Sequence, residues 1–144
     1  MKASITALFL ALAATVSFAS DRWETLEAIH WVENPTMSPK PGPHGELGPY
    51  QFRPATWQMH TRQPFHLALD RVEADKIAVK HYEWIRRGLE RRGLPVTPYN
   101  VALAWNAGLS AVINGKVPSS SRHYGARVAN LVDDMKARQV AGAR

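Results

Sequence analysis

The chain of 144 residues contains no cysteine. This absence excludes disulfide bonds, thiolate metal sites and a lipoprotein anchor on cysteine. The six histidines are scattered, and none belongs to the His-Glu-x-x-His pattern of zinc hydrolases. A serine nucleophile elbow is missing too, because Gly108-Leu109-Ser110-Ala111 lacks the second glycine. We therefore predict no metal and no organic cofactor, and a fold that is held together by its core.

Long apolar runs are also lacking. The apolar run at residues 5–16 is short for a membrane span, and Lys2 precedes it. With Ser17 and Ala19 behind it, this run is typical of a signal peptide that is cleaved after Ala19. We predict a signal peptide at 1–19, one domain at 20–138 and a frayed tail at 139–144. The protein is then exported to the periplasm or the extracellular space, without stable membrane insertion.

The charge balance is basic. The net charge is +6, and it falls to +5 when Lys2 leaves with the signal peptide. Such a protein suits an anionic partner, either a cell envelope or nucleic acid. The four arginines between residues 86 and 92 lie among glutamates, which is typical of a solvated helix face. Because an exported protein rarely meets genomic DNA, we predict a cell-wall partner and no nucleic acid.

Apolar periodicity predicts a mainly α-helical domain, since strand signals are scarce. The first helix runs over residues 21–33 and ends before Pro35. A short helix begins at Pro54, a long pattern covers 70–93, and Thr97 caps a helix that runs to Gly108. A last helix follows residues 119–121, with its stripe at Tyr124, Val128, Leu131 and Met135. The Pro/Gly-rich segment 34–49 is predicted as a functional loop.

Glu33 closes the apolar face of the first helix. Leu26, Ile29, His30 and Glu33 stand at positions i, i+3, i+4 and i+7, so they share one face. A carboxyl group at the mouth of an apolar pocket keeps its proton to higher pH, because burial penalises its charged form. Glu33 is therefore a candidate general acid. The alternative is a glutamate that simply reaches water from a helix end.

Four separated segments together carry a family resemblance. They are Ala-Ile-His-Trp-Val-Glu at 28–33, Gly-Glu-Leu-Gly-Pro-Tyr-Gln-Phe-Arg-Pro-Ala-Thr-Trp at 45–57, Val-Ala-Leu-Ala-Trp-Asn-Ala-Gly at 101–108 and Tyr-Gly-Ala-Arg-Val at 124–128. In order and approximate spacing they resemble the soluble lytic transglycosylases, bacterial enzymes with a lysozyme-like domain that cleave the glycan strands of peptidoglycan. The resemblance spans nearly the whole of the predicted mature chain.

This resemblance implies a fold, an activity and a site. The fold would be mainly α, within the α+β lysozyme-like superfamily, as a single compact helical domain with a Pro/Gly-rich active-site loop. The activity would be cleavage of the β-1,4 bond between N-acetylmuramic acid and N-acetylglucosamine, leaving 1,6-anhydro ends. Glu33 would be the general acid and base, and Tyr124 would orient it. The implied substrate contacts are Gln51, Tyr50, Trp105 and Asn106.

The chain departs from the family pattern beside the glutamate. Asn34-Pro35 stands where the family usually has Ser-Gly, and Gly48-Pro49-Tyr50-Gln51 replaces Gly-Leu-Met-Gln. These changes keep a second reading open, namely a non-catalytic component that binds peptidoglycan or takes part in an envelope-spanning assembly. A third reading is a hydrolytic lysozyme in which Glu46 is the second carboxylate. For Glu46 the structural alternative is a solvated surface group.

Overall fold

The structure, a computed structural model, describes residues 21–143. The predicted signal peptide at 1–19 lies outside these residues. The helices are α1 (21–33), α2 (Pro54–His60), α3 (Arg71–Glu90), α4 (Pro98–Ala107), α5 (Leu109–Ile113) and α6 (Ser119–Gly142), with a 3-10 helix at Phe65–Leu69. Between 21 and 143 there is no β-strand, and Leu47 and Phe52 form one isolated bridge. The prediction of a mainly helical domain is confirmed.

The helix ends follow the local signals in the sequence. The side chain of Thr97 accepts a hydrogen bond from the backbone N–H of Asn100, and Pro98 is the first residue of α4. Asp70 caps α3 in the same way by accepting from the N–H of Glu73. Both bonds satisfy N–H groups that have no partner within the helix. The 3-10 helix and α5 are two short elements that the periodicity did not predict.

The core lies where the helices face one another. In α3 the predicted stripe of Ala78, Tyr82, Ile85 and Leu89 is buried. In α6 the stripe differs in part, because Val132 is fully buried whereas Leu131 and Met135 are only partly buried. α6 is also the longest helix of the described chain, and it continues to Gly142 through part of the segment that we expected to fray.

A charged network ties α1 to α3. The Arg71 guanidinium donates to Glu27 of α1 at 2.7 Å and to Asp75 of α3 at 2.8 Å. The hydroxyl of Tyr50 donates to the same Asp75 oxygen at 2.6 Å. The hydrogen bond from Tyr50 thereby connects the segment between α1 and α2 to α3. None of the helices in the described part of the chain is both long and apolar enough to cross a membrane.

Candidate active site

A cleft of about 480 Å³ opens at the end of α1. Its lining comes from α1, the segment between α1 and α2, α2, α3 and α4. The lining residues are Glu33, Pro43, Glu46, Gln51, Phe52, Arg53, Thr56, His81, Trp105, Asn106, Ala107 and Gly108. Five residues that the sequence singled out therefore meet in one cleft: Glu33, Glu46, Gln51, Trp105 and Asn106.

Tyr124 contacts Glu33 but does not itself line the cleft. Its hydroxyl group donates a hydrogen bond of 2.7 Å to Oε1 of Glu33. Tyr124 is buried in α6, and its surroundings raise the pKa of the phenol well above its usual value, through burial first and the nearby Glu33 charge second. The phenol therefore stays protonated and acts as a fixed donor to the carboxyl group.

Glu33 has the protonation behaviour of a general acid. Its pKa is raised from 4.5 to about 6, mainly by burial and to a smaller degree by the negative charge of Glu46. The hydrogen bond from Tyr124 and the positive charge of Arg127 oppose this rise. A carboxyl group with a pKa near 6 is half protonated at pH 6 and still protonated in about one molecule in ten at pH 7, so it can donate a proton to a bound substrate.

The end of α1 is tied to the segment that follows it. The Asn34 side chain donates to the carbonyls of Ser38 and Gly48, at 3.0 and 3.1 Å, and accepts from the N–H of Ser38 at 2.9 Å. One turn earlier, a ring nitrogen of His30 lies 3.3 Å from the carbonyl of Pro49. The asparagine that departs from the family pattern thus closes the loop beside Glu33.

The turn at residues 48–51 presents Gln51 to the cleft. Gly48 has φ +79°, and a Cβ there would stand 1.7 Å from the carbonyl oxygen of Ala68, so only glycine fits. Gln51 has φ +46°, which is uncommon for a residue with a side chain. Its Nε2 donates to the Gly48 carbonyl at 2.9 Å. This bond holds the Gln51 amide in one orientation at the cleft.

Glu46 is a second carboxylate of the cleft, and it is held ionised. Its oxygens accept from the backbone N–H of His44 at 2.9 Å and from Nε of Arg53 at 3.2 Å. Burial alone raises the pKa of Glu46, but hydrogen bonds from the backbone N–H groups of His44 and of Glu46 itself, together with the Arg53 charge, outweigh burial and lower it. The two cleft carboxyl groups are therefore pushed in opposite directions, with Glu33 toward its acid form and Glu46 toward its anion.

The α4 wall of the cleft carries Trp105 and Asn106. The Trp105 ring packs against His81 and Phe52, with centroid distances of 4.7 and 5.7 Å. Asn106 is exposed, and its Oδ1 accepts a hydrogen bond of 2.7 Å from the hydroxyl of Ser121 on α6. α4 and α6 lie close here because residue 125 is glycine, where a Cβ would approach Leu103 to 3.1 Å.

Tyr50 does not belong to the cleft, although the family resemblance implied a substrate contact for it. The side chain is fully buried. Its hydroxyl bonds to Asp75, and the Arg71 guanidinium lies 5.7 Å from the centre of its ring. Gln51, the next residue, faces the cleft instead. Tyr50 therefore supports the turn from inside the core.

Sequence reasoning missed three residues that act on the site. Ser121 was read as part of a helix start, yet its spacing from Tyr124, one helical turn, places both on one face of α6. Arg127 carries a charge that lowers the pKa of Glu33. His81 lines the cleft and shares a 3.0 Å hydrogen bond with His60. Burial, and secondarily the His60 charge, lower the pKa of His81 to about 3, so it is neutral at physiological pH.

Within residues 21–143 no group of three or more His, Cys, Asp or Glu side chains is arranged to hold a metal ion. The polar groups of the cleft are carboxyl, amide and hydroxyl groups, with the Arg53 guanidinium and the His81 imidazole, beside an aromatic wall. Such groups recognise polyhydroxylated or amide-bearing ligands by hydrogen bonds and ring contacts. The cleft can thus bind a neutral polar ligand and deliver one proton to it.

Comparison with known proteins leaves the family unassigned: no protein-family model, no curated protein and no solved structure matches this chain.

Proposed function

We propose that this protein is a lytic transglycosylase that cleaves the bond between N-acetylmuramic acid and N-acetylglucosamine in peptidoglycan. The observation that carries this proposal is the Glu33 carboxyl group, which has a pKa of about 6 and is held by Tyr124 at the end of an open cleft. The order of the four segments that resemble soluble lytic transglycosylases also supports it. The lysozyme-like fold is part of the same proposal.

The reaction needs only one carboxyl group. Glu33 donates its proton to the glycosidic oxygen, and the bond to the anomeric carbon breaks through an oxocarbenium-like state. The resulting carboxylate is stabilised by the Tyr124 hydroxyl and by the Arg127 charge. It then removes the proton of the 6-hydroxyl of the same sugar, whose oxygen closes the 1,6-anhydro ring. Glu33 is protonated again at the end, so no water is consumed.

Hydrolysis is a second candidate, because Glu46 lies in the same cleft as an anion. An inverting hydrolase would use it as the base that activates water. At rest, however, both of its oxygens already accept hydrogen bonds, and its lowered pKa makes it a weak base. These features favour the transglycosylase route, in which Glu46 is a fixed charge beside Glu33.

Mass spectrometry of the fragments released from purified peptidoglycan tests the proposal. We expect 1,6-anhydro ends from the wild-type protein, and a loss of about 100-fold or more in Glu33→Gln, the usual worth of a general acid. Glu90→Gln is the matched control, because Glu90 is an exposed glutamate of α3 outside the cleft.

Three other outcomes would contradict the proposal in different ways. Reducing ends, together with an equally large loss in Glu46→Gln, would make the protein a hydrolase. Binding to peptidoglycan without any cleavage would make it a wall-binding component of an envelope assembly. Cleavage at an unchanged rate in Glu33→Gln would show that another group is the acid.

The proposed place of action is the cell wall outside the cytoplasm. The net charge of +6, or +5 after loss of the predicted signal peptide, suits the anionic polymers of an envelope. The role proposed for this cleavage is local opening of the wall, for example around an envelope-spanning assembly.

A further inference from the structure

A second open cavity, of about 600 Å³, lies outside the cleft, between α2 and the second half of α3. We call it the α2–α3 groove, and it is lined by Met59 and His60 of α2 and by Val79, Lys80, Trp84 and Arg87 of α3. The groove adjoins the cleft at His81, which lines the cleft, bonds to His60 at 3.0 Å and stacks on the Trp84 ring with 5.6 Å between the centroids. A ligand in the groove therefore lies beside the cleft without entering it.

The groove contains apolar side chains that keep contact with water. Met59 is 53% exposed, and Val79 and Trp84 are only partly buried. Such side chains on a concave surface favour a ligand that brings apolar groups of its own, because binding removes apolar surface from water on both sides.

The cations of the groove are not neutralised within the protein. Of the five Lys and Arg residues of α3, three pair with carboxylates, namely Arg71, Lys76 and Arg86. The other two, Lys80 and Arg87, pair with no carboxylate in the described part of the chain, and both of them line the groove. Lys80, Trp84 and Arg87 stand at positions i, i+4 and i+7, so they share one face of α3.

Glu83 also lines the groove, but it does not offset these charges. Its two carboxylate oxygens accept from Arg22 of α1 at 3.0 Å and from Arg86 at 2.8 Å. Glu83 and its two arginines together carry a net positive charge. The groove thus combines two unpaired cations with an apolar surface between them.

We propose that the α2–α3 groove binds an acidic segment of a partner protein, one that carries apolar side chains among its carboxylates. Its carboxylates would pair with Lys80 and Arg87, and its apolar side chains would pack on Met59, Val79 and Trp84. A nucleic-acid backbone or another chain of phosphates supplies no apolar side chains for this lining, and a flat bilayer surface does not follow a concave groove. The inference is independent of the proposed function, since neither a glycan nor cleavage takes part in the binding.

Three labelled synthetic peptides of equal length test this proposal by fluorescence anisotropy. The first contains glutamate and leucine, the second has glutamine in place of every glutamate, and the third has alanine in place of every leucine. We expect the first peptide to bind about tenfold more tightly than either of the others, because each of those lacks one of the two kinds of contact.

A pair of double variants locates the binding. Lys80→Glu with Arg87→Glu should weaken binding of the first peptide by about tenfold or more, since two attractions become repulsions. Lys116→Glu with Arg138→Glu is the matched control, because it changes the net charge equally at two exposed residues outside the groove. Equal losses in the two double variants would show a general attraction to a basic protein and would overturn the inference.

Met59→Ala gives an independent test should the charge reversals fail to fold, because Met59 is exposed and contributes little to the core. The affinity for the first peptide should fall about fivefold, while that for the alanine peptide stays the same. An unchanged affinity for the first peptide in this variant would overturn the inference. So would a lack of saturable binding to the wild type, or binding to phosphatidylglycerol vesicles through Lys80 and Arg87 without any binding of the peptide.

Discussion

The Tyr124 hydroxyl and the Glu33 carboxyl group meet at 2.7 Å although 91 positions of sequence separate them. The bond joins the end of α1 to the second turn of α6. It places a proton donor on the ionised form of a carboxyl group whose neutral form is favoured by burial. The balance between these two effects sets the pKa of Glu33, and each can be altered by one substitution.

Tyr124→Phe should raise the pKa of Glu33 above about 6, because the lost hydrogen bond had stabilised the carboxylate. Carbon-detected NMR titration of the Glu33 carboxyl group measures this shift directly. If Glu33 is the acid of the proposed reaction, the alkaline limb of the rate profile moves to higher pH as well. The maximal rate falls, since the carboxyl group loses its orientation.

Tyr82→Phe is the control for this titration, because Tyr82 is also a buried tyrosine but lies on α3 away from the cleft. The Glu33 titration should be unchanged in it. A Glu33 pKa that does not move, or that falls, in Tyr124→Phe would contradict the balance described above.

Glu33→Gln should stabilise the fold at alkaline pH relative to the wild type. The folded-state pKa of about 6 exceeds the ordinary value of 4.5, so folding favours the protonated form. The stability that Glu33 contributes is complete below pH 4.5 and is lost as the pH rises through 6. The variant has no such loss, so its stability relative to the wild type should rise by about 2 kcal/mol between pH 4 and pH 8.

Urea unfolding of both proteins at the two pH values measures this difference. Groups that titrate in both proteins cancel in the comparison. A difference that stays constant with pH, or that has the opposite sign, would mean that Glu33 is ionised in the fold without cost.

Tyr50→Phe should lower the free energy of unfolding by about 1 to 2 kcal/mol, because a buried hydrogen bond to a charged group is lost. Since the Tyr50 side chain is buried outside the cleft, glycan affinity should be unchanged. Gln51→Ala is the matched variant, for which we expect weaker glycan binding and little change in stability. Denaturation and calorimetry on the two variants check this. Loss of glycan affinity in a stable Tyr50→Phe would restore Tyr50 as a ligand contact.

Gly48→Ala and Gly45→Ala separate steric space from backbone strain. Both glycines have a positive φ, of +79° and +78°, but only at Gly48 does a Cβ meet another atom, the Ala68 carbonyl at 1.7 Å. We expect about 1 kcal/mol of destabilisation at Gly45, from strain alone. At Gly48 we expect more than about 3 kcal/mol, because the turn must also move away from Ala68. If urea unfolding showed equal losses of unfolding free energy in the two variants, the close approach of Gly48 to the Ala68 carbonyl would not exist.

The helices could be predicted because their signals are local. The apolar spacing of Ala78, Tyr82, Ile85 and Leu89 needs only the geometry of one helix, and so does the stop imposed by Pro35. Thr97 and Pro98 likewise act on backbone groups within one turn. The exception in α6, where Val132 is buried in place of Leu131, depends on which neighbour that face meets.

The sequence by itself determined the helical class, the position of Glu33 at a helix end and the set of polar residues from which a site can be built, since each follows from spacing along the chain. Only the tertiary structure decided that Tyr124 bonds to Glu33, that Ser121 bonds to Asn106, and that Tyr50 is buried while its neighbour Gln51 faces the cleft. The physical reason is that these contacts depend on how α1, α4 and α6 pack and on one turn with an unusual backbone. No local sequence pattern determines the packing of these helices or the backbone of this turn.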